Sequence, residues 1–248
     1  MKIARGIYSM GQRKGGNVHA FLLDADTGLT LIDTLFDTDA GLILDQIRQI
    51  GRQVSDLKHI ILTHAHRSHL GGLAELKRLS GARVYSHDWE APIIAGERAA
   101  TRVSLWPKPP LEVYWLQFCL AVGLGKHPPC PVDQNLKKGD HIGPLEVIHV
   151  PGHTPGSLAF HWPERRALFA GDVIATWPEI SAGWPGLTLD NKQNLDSIGL
   201  LSEFRSVEIL GVGHGEPVAS GGAEIVRSLL AGKGKASIRS ATAKAGSR

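Results

Sequence analysis

With 248 residues and a net charge of +3, the chain is long enough for one layered α/β domain with a sizeable core. Its 42% hydrophobic and 21% charged residues are those of a soluble globular protein, and no run approaches the roughly 18 apolar residues of a membrane span. Two cysteines, Cys119 and Cys130, exclude a disulfide framework and lack zinc-finger spacing, so free thiols in a reducing compartment are expected.

The opening MKIARGIYSMGQ has no apolar signal core and reads into a strand, which favours a cytoplasmic protein. VHAFLLDA (18–25) and GLTLIDT (28–34) flank the turn signal Asp26-Thr27-Gly28 and predict a hairpin. Asp37 and Asp39 precede a periodic stretch that stops at Gly51, a helix with an acidic start. LKHIILTH (57–64) reads as a buried strand, 68–81 as a helix and 82–87 as the next strand. The alternation then breaks at an aromatic and proline-rich insert, about 88–135, in which 111–124 could be helical. Strand-like runs follow at 145–150, 156–162 and 167–173, then a helix capped by Asp190 and running to about Phe204. A strand at 206–215 and a helix at 222–231 complete a single domain over 1–231, whose pattern predicts sheets covered by helices. The tail 232–248 carries five cations and no acid, which leaves residues 1–231 at −2. It is predicted to be disordered, and nucleic acid is not an expected partner.

Four strand ends present histidine or aspartate. Thr63-His64-Ala65-His66-Arg67-Ser68-His69 follows the strand at 57–64. In extended backbone His64 and His66 share a side, and His69 could face the same pocket. Three imidazoles so close would repel if charged, and a divalent metal relieves that repulsion. Pro151-Gly152-His153-Thr154-Pro155-Gly156 fixes a tight loop that aims His153 off a strand. Gly171-Asp172 and Gly213-His214-Gly215 end two more.

This order of motifs resembles the metallo-β-lactamase superfamily, in particular its glyoxalase II and lactonase-like branch, over about residues 4–231. The resemblance implies a four-layer αββα sandwich of two mixed sheets flanked by helices, with two metal sites. His64, His66 and His153 would bind one metal, His69 and His214 the other, and Asp172 would bridge. Asp33 would orient a histidine or the loop without ligating. The family's HxHxDH motif reads here with Ser68 in place of its aspartate, a poor ligand for a hard or borderline cation. That weakens the second site and makes a single-metal enzyme plausible. Ser68 can also serve as the N-cap of the following helix, and Arg67 is expected to be solvated.

The reaction implied is metal-dependent hydrolysis of an ester-like bond (lactone, thioester, β-lactam or a related centre), with Asp172 and His69 in catalytic roles. The bridging Asp172 argues against β-lactams. An end too early for a glutathione-binding helical region argues against that thioester. Zinc, one or two per chain, is the expected cofactor, although the same donors accept iron or manganese. Two alternatives remain: a mononuclear iron enzyme like the sulfur dioxygenases, and a non-catalytic ligand-binding relative that has lost the second metal. The substrate is expected to be a small molecule with an apolar part, since the aromatic insert would cover the site. The same aromatic surface could instead form a homodimer interface. His19, His59, His87, His141, His149 and His161 are read as structural, and His127 lies in the insert, where it could be near the pocket.

Overall fold

Alternation of side chains along strands decides the layers here. The computed structural model describes residues 1–124 and 126–231, so the basic tail lies outside the described residues. In chain order the elements are β1 (Lys2–Ala4), β2 (Ile7–Gln12), a single turn α1 (Lys14–Asn17), β3 (Val18–Ala25), β4 (Gly28–Ile32), α2 (Gly41–Gln49), β5 (Leu57–Ile61), α3 (Leu73–Ser80), β6 (Arg83–His87), α4 (Ala91–Ile94), α5 (Tyr114–Ala121), β7 (Gln134–Leu136), β8 (His141–Ile142), β9 (Leu145–His149), β10 (Leu158–Trp162), β11 (Ala167–Phe169), α6 (Asn191–Leu201), β12 (Ile209–Gly211) and α7 (Gly222–Leu230).

The strands form two mixed sheets, one in the order β1-β2-β3-β4-β5-β6-β7 and one in the order β12-β11-β10-β9-β8. Along β3, Phe21 and Leu23 face the second sheet, where Phe21 meets Phe169 with ring centroids 5.0 Å apart. The intervening Leu22 points the other way, into the layer with Ile43 and Ile47 of α2 and Leu73 and Leu76 of α3. On the far side, Ile198 and Leu201 of α6 and Val226 of α7 cover Leu168 and Leu210. Each large side chain so buried contributes about 1.5–3 kcal/mol. The result is the four-layer αββα sandwich that the motif order implied.

Topology gathers the functional ends. β4, β5 and β6 are parallel, so their carboxyl ends lie together. β9 and β11 both run antiparallel to β10, and β12 runs parallel to β11, so those three also end on one side. The His19 amide donates to the Gly213 carbonyl at 2.8 Å, joining the start of β3 to the loop after β12. The carboxyl ends of both sheets therefore meet at one edge of the sandwich.

Two expectations need correction. The helix predicted to start at Ser68 starts at Leu73, with Gly72 at its cap position. Residues Arg67–His69 form a separate 3-10 turn, and Gly71 approaches the Phe36 carbonyl so closely that a Cβ would sit 2.2 Å from its oxygen. Ser68 is therefore not the N-cap of α3. The helix read at 111–124 is shorter, a 3-10 turn at Leu111–Val113 followed by α5. By contrast Asp190 does cap α6, accepting from the Gln193 amide at 2.9 Å.

Candidate metal centre

Six residues from four loops converge at the shared edge. The ring nitrogens of His64, His66 and His153 and a carboxylate oxygen of Asp172 lie within 4.8 Å of one another. A second group under the same limit consists of His69, Asp172 and His214. His153 Nε2 is 3.2 Å from His64 Nε2 and 2.9 Å from His66 Nδ1. Asp172 Oδ2 is 3.0 Å from His214 Nε2 and 3.4 Å from His153 Nε2, and Oδ1 is 3.3 Å from His69 Nε2. Asp172 thus stands between the two groups. Room for it depends on Gly213, where any Cβ would fall 1.9 Å from Asp172 Oδ1.

The outward nitrogens are held from behind. Asp33, in left-handed backbone at φ 58°, accepts from the Thr63 amide at 2.9 Å and the Thr63 hydroxyl at 2.8 Å, and its Oδ2 lies 2.9 Å from His69 Nδ1. Thr34 donates through both amide and hydroxyl to the His69 carbonyl. His214 Nδ1 meets the Gly16 carbonyl at 2.8 Å, and Trp184 lies over the His214 ring at 4.2 Å. Thr188 Oγ1 is 3.3 Å from His153 Nδ1. These contacts orient the rings so that the Nε2 atoms of His69, His153 and His214 turn toward Asp172.

The electrostatics ask for a cation. Burial holds His64 and His66 well below the usual imidazole range and His153 down at about 4, so all three are neutral donors. Asp172 is driven well below the carboxylate range: burial opposes this, but His214, His69 and His64 outweigh it. His69 is pushed the other way, to about 10, because Asp172 and Asp33 together overcome the effect of burial. Asp172 Oδ1 is buried without a hydrogen-bond partner. Neutral imidazoles crowded around a buried carboxylate fit a divalent metal by the chemistry of the donor set.

Above the donors lies a cavity of about 360 Å³. His66, Asp172 and His214 form its floor, and Phe36, Leu116, Leu120 and Trp184 form apolar walls. Leu116 and Leu120 come from α5, so the 88–135 segment supplies the roof. Ser68 lines this cavity beside the second donor group, half-buried. Arg67 corrects another expectation, because it is half-buried, packs over the Phe36 ring at 4.4 Å and donates to the Phe36 carbonyl at 2.6 Å.

One functional residue escaped the sequence reading. Glu90, 1% exposed, accepts from the Ala65 amide at 3.0 Å, the Thr154 hydroxyl at 2.5 Å and the Gly156 amide at 3.2 Å. It therefore ties the His64–His66 loop to the His153 loop. Burial raises its carboxyl to about 7 against those three hydrogen bonds. An acid between Trp89 and Ala91 reads as surface, and only the apolar residues after it hint at burial. His59 meets Tyr85, His87 stacks on His149 and His149 also meets Pro155, while His19, whose amide bonds the Gly213 carbonyl next to His214, turns its ring to Ser9. Both cysteines are free thiols.

The whole motif set is covered by one family model: residues 13–214 match the metallo-β-lactamase superfamily. The chain belongs to that superfamily. It is 29% identical over 209 residues to the uncharacterized protein YobT of Bacillus subtilis, covering 80% of this chain and 83% of that one. It is 33% identical over 161 residues to a hydroxyacylglutathione hydrolase of Cereibacter sphaeroides, covering 63% of this chain and 48% of the relative. This chain thus spans about half the length of that hydrolase. A metallo-β-lactamase structure from Cronobacter sakazakii carrying a HARLDQ motif superposes with a TM-score of 0.69 at 23% identity, over 100% of this chain and 95% of the other. Membership and relatives together support a metal-dependent hydrolase with a metal held by the His/Asp cluster. Among the described residues no helix is long and apolar enough to cross a membrane.

Proposed function

We propose that this chain is a metal-dependent hydrolase of an ester-like bond, a lactone or thioester, in a small molecule with an apolar acyl part. The observation that carries the reading is the pair of donor groups sharing Asp172 at the floor of an apolar cavity. His64, His66 and His153 would hold one metal, and His69 and His214 a second, with Asp172 common to both. Zinc suits this donor set, and iron and manganese are accepted by it too. When bound, the metal polarises a carbonyl oxygen and lowers the pKa of water toward neutrality.

The protein's own residues do the rest. Leu116, Leu120 and Trp184 exclude bulk water from the floor and favour an apolar substituent. Asp33 is committed to Thr63 and His69, so Asp172 is the carboxylate left to handle a proton, next to His69 Nε2 at 3.3 Å. The hydroxyacylglutathione hydrolase supports the thioester branch, since an acyl-glutathione is one.

Ser68 favours one further reading, unequal sites. Where the family's motif has aspartate, a neutral hydroxyl adds no charge to the second donor group. The experiment is elemental analysis of the wild type and Ser68→Asp, followed by an ester, lactone and thioester panel. Two metals and turnover in the wild type support a binuclear hydrolase. One metal, rising to two in Ser68→Asp, supports a mononuclear enzyme. A single iron with oxygen uptake on a persulfide would replace hydrolysis by the dioxygenase reading. Metal-loaded protein that turns over nothing would leave a binding protein.

A further inference from the structure

A second cavity, of about 420 Å³, lies on the other side of α5. Arg98, Arg102, Lys126 and His127 line it, and no carboxylate does. Among the described residues, none of its three exposed cations has a carboxylate within 4.0 Å, whereas Arg52, Lys77 and Arg166 elsewhere on the surface each do. Arg98 is steadied by Trp89, over whose ring it lies at 4.4 Å and to whose carbonyl it donates. His127 is anchored through Nε2 to the Ile94 carbonyl at 3.1 Å. Arg102 and Lys126 make no side-chain hydrogen bond within the described residues. The buried Glu90 feels Arg98 but is committed to Ala65, Thr154 and Gly156.

This cavity adjoins the metal centre. Leu120 lines both cavities, and Ala65, between His64 and His66, lies in the wall of the second. Arg67, on the first cavity's wall, is within electrostatic reach of His127 in the second. The two cavities share the Leu120 wall, so a substrate long enough to pass it, with its scissile bond over the floor, would bring its other end among the cations. Three cations gathered without an acid repel one another, and a ligand with two or more negative charges relieves that. Guanidinium forks match phosphate oxygens bidentately, while a single carboxylate would leave two cations uncompensated.

We propose that this basic cavity binds the phosphate-bearing end of the substrate, so that the bond cleaved is an acyl thioester to a phosphorylated carrier. The proposal rests on the hydrolase reading, and its test separates the two. Octanoyl-coenzyme A and octanoyl-N-acetylcysteamine present the same thioester with and without the nucleotide phosphates. The metal-loaded wild type is expected to show a KM at least about tenfold lower for the former, and Arg102→Ala/Lys126→Ala to reduce that ratio toward one. A charge-matched control, Lys58→Ala/Lys137→Ala, keeps the ratio. Calorimetry with adenosine 3′,5′-bisphosphate and with inorganic phosphate gives a readout free of turnover. Binding of the bisphosphate is expected to weaken about tenfold in the Arg102/Lys126 variant and with rising salt. If inorganic phosphate binds as tightly, the site takes free phosphate and the carrier assignment falls. Equal KM values for the two thioesters, or bisphosphate binding unchanged in the variant, overturn the proposal while leaving the hydrolase reading intact. Charge-dependent bisphosphate binding with neither thioester cleaved keeps the anion site but overturns the thioester-carrier assignment, and the ester and lactone panel then decides the hydrolase reading separately.

Discussion

The floor and the roof of the main cavity are built to different standards. On the floor, His64, His66, His69, His153, Asp172 and His214 are all at most 6% exposed, and their outward atoms rest on Asp33, Thr63, Thr188 and the Gly16 carbonyl. On the roof, Trp115 is 70% exposed and Leu124 64%, and the α5 segment owes its position to a small cluster around Val113, Trp184 and Leu187. Placing charged and neutral donors to a fraction of an ångström needs redundant support, while an apolar wall needs only area. Chemistry is thus assigned to the floor and selectivity to the roof, and substitutions can break that division.

The largest effect is expected at Asp172. Asp172→Asn keeps the shape but removes the only charge shared by the two donor groups. Turnover should fall at least about a thousandfold, with metal content falling too, while the circular dichroism spectrum stays native. Retained metal and turnover would show that the imidazoles alone suffice.

Next comes Glu90, which holds two donor loops without touching a metal position. Glu90→Ala strands the Ala65 and Gly156 amides, at about 1–3 kcal/mol each, so chemical denaturation should report a loss of about 2–6 kcal/mol. Glu90→Gln tests the charge. Because the folded carboxyl is raised to about 7 from an ordinary value near 4.5, the folded state binds the extra proton. Glu90's contribution to stability is therefore fully present below about 4.5 and declines as pH rises through 7. The wild type minus Glu90→Gln difference in unfolding free energy should shrink over that window. A flat difference would contradict the raised carboxyl.

Asp33→Asn is expected to be milder. It keeps a side-chain acceptor for Thr63 but loses the charge behind His69, and removing such a partner costs about 10–100-fold in metal affinity or activity. Competition with a chelator measures it, and the loss should fall on the second metal before the first.

The sequence disclosed the floor far better than the roof, for physical reasons. His64, His66, His153, Asp172 and His214 follow strands whose apolar runs mark their ends, and the Gly and Pro residues around them fix short loops. Local sequence therefore fixes where those side chains go. Asp33 was legible only through the family resemblance, because nothing local to it shows which histidine it meets. Glu90 was not, since its role depends on two loops brought to it from residues 65 and 154–156. The start of α3 was misjudged because Ser68 is a good cap in isolation, whereas the tight fit of Gly71 against Phe36 is a tertiary fact. The second cavity arises from α4, α5 and the chain between them, where prolines and aromatics carry no periodic signal.

The smallest effect tests the roof itself. Trp115 lines the main cavity from its exposed rim, so Trp115→Ala should change stability by no more than about 0.5 kcal/mol. It removes apolar wall, worth on the order of 1 kcal/mol to a chain that reaches it. Along a series of acyl esters from four to ten carbons, KM should rise about two- to tenfold for the long chains and stay level for the short ones, with kcat unchanged throughout. That pattern would place Trp115 in substrate selection alone. A uniform fall in kcat across the series would instead mean that the roof helps position the floor, and the two regions would have to be treated as one catalytic unit.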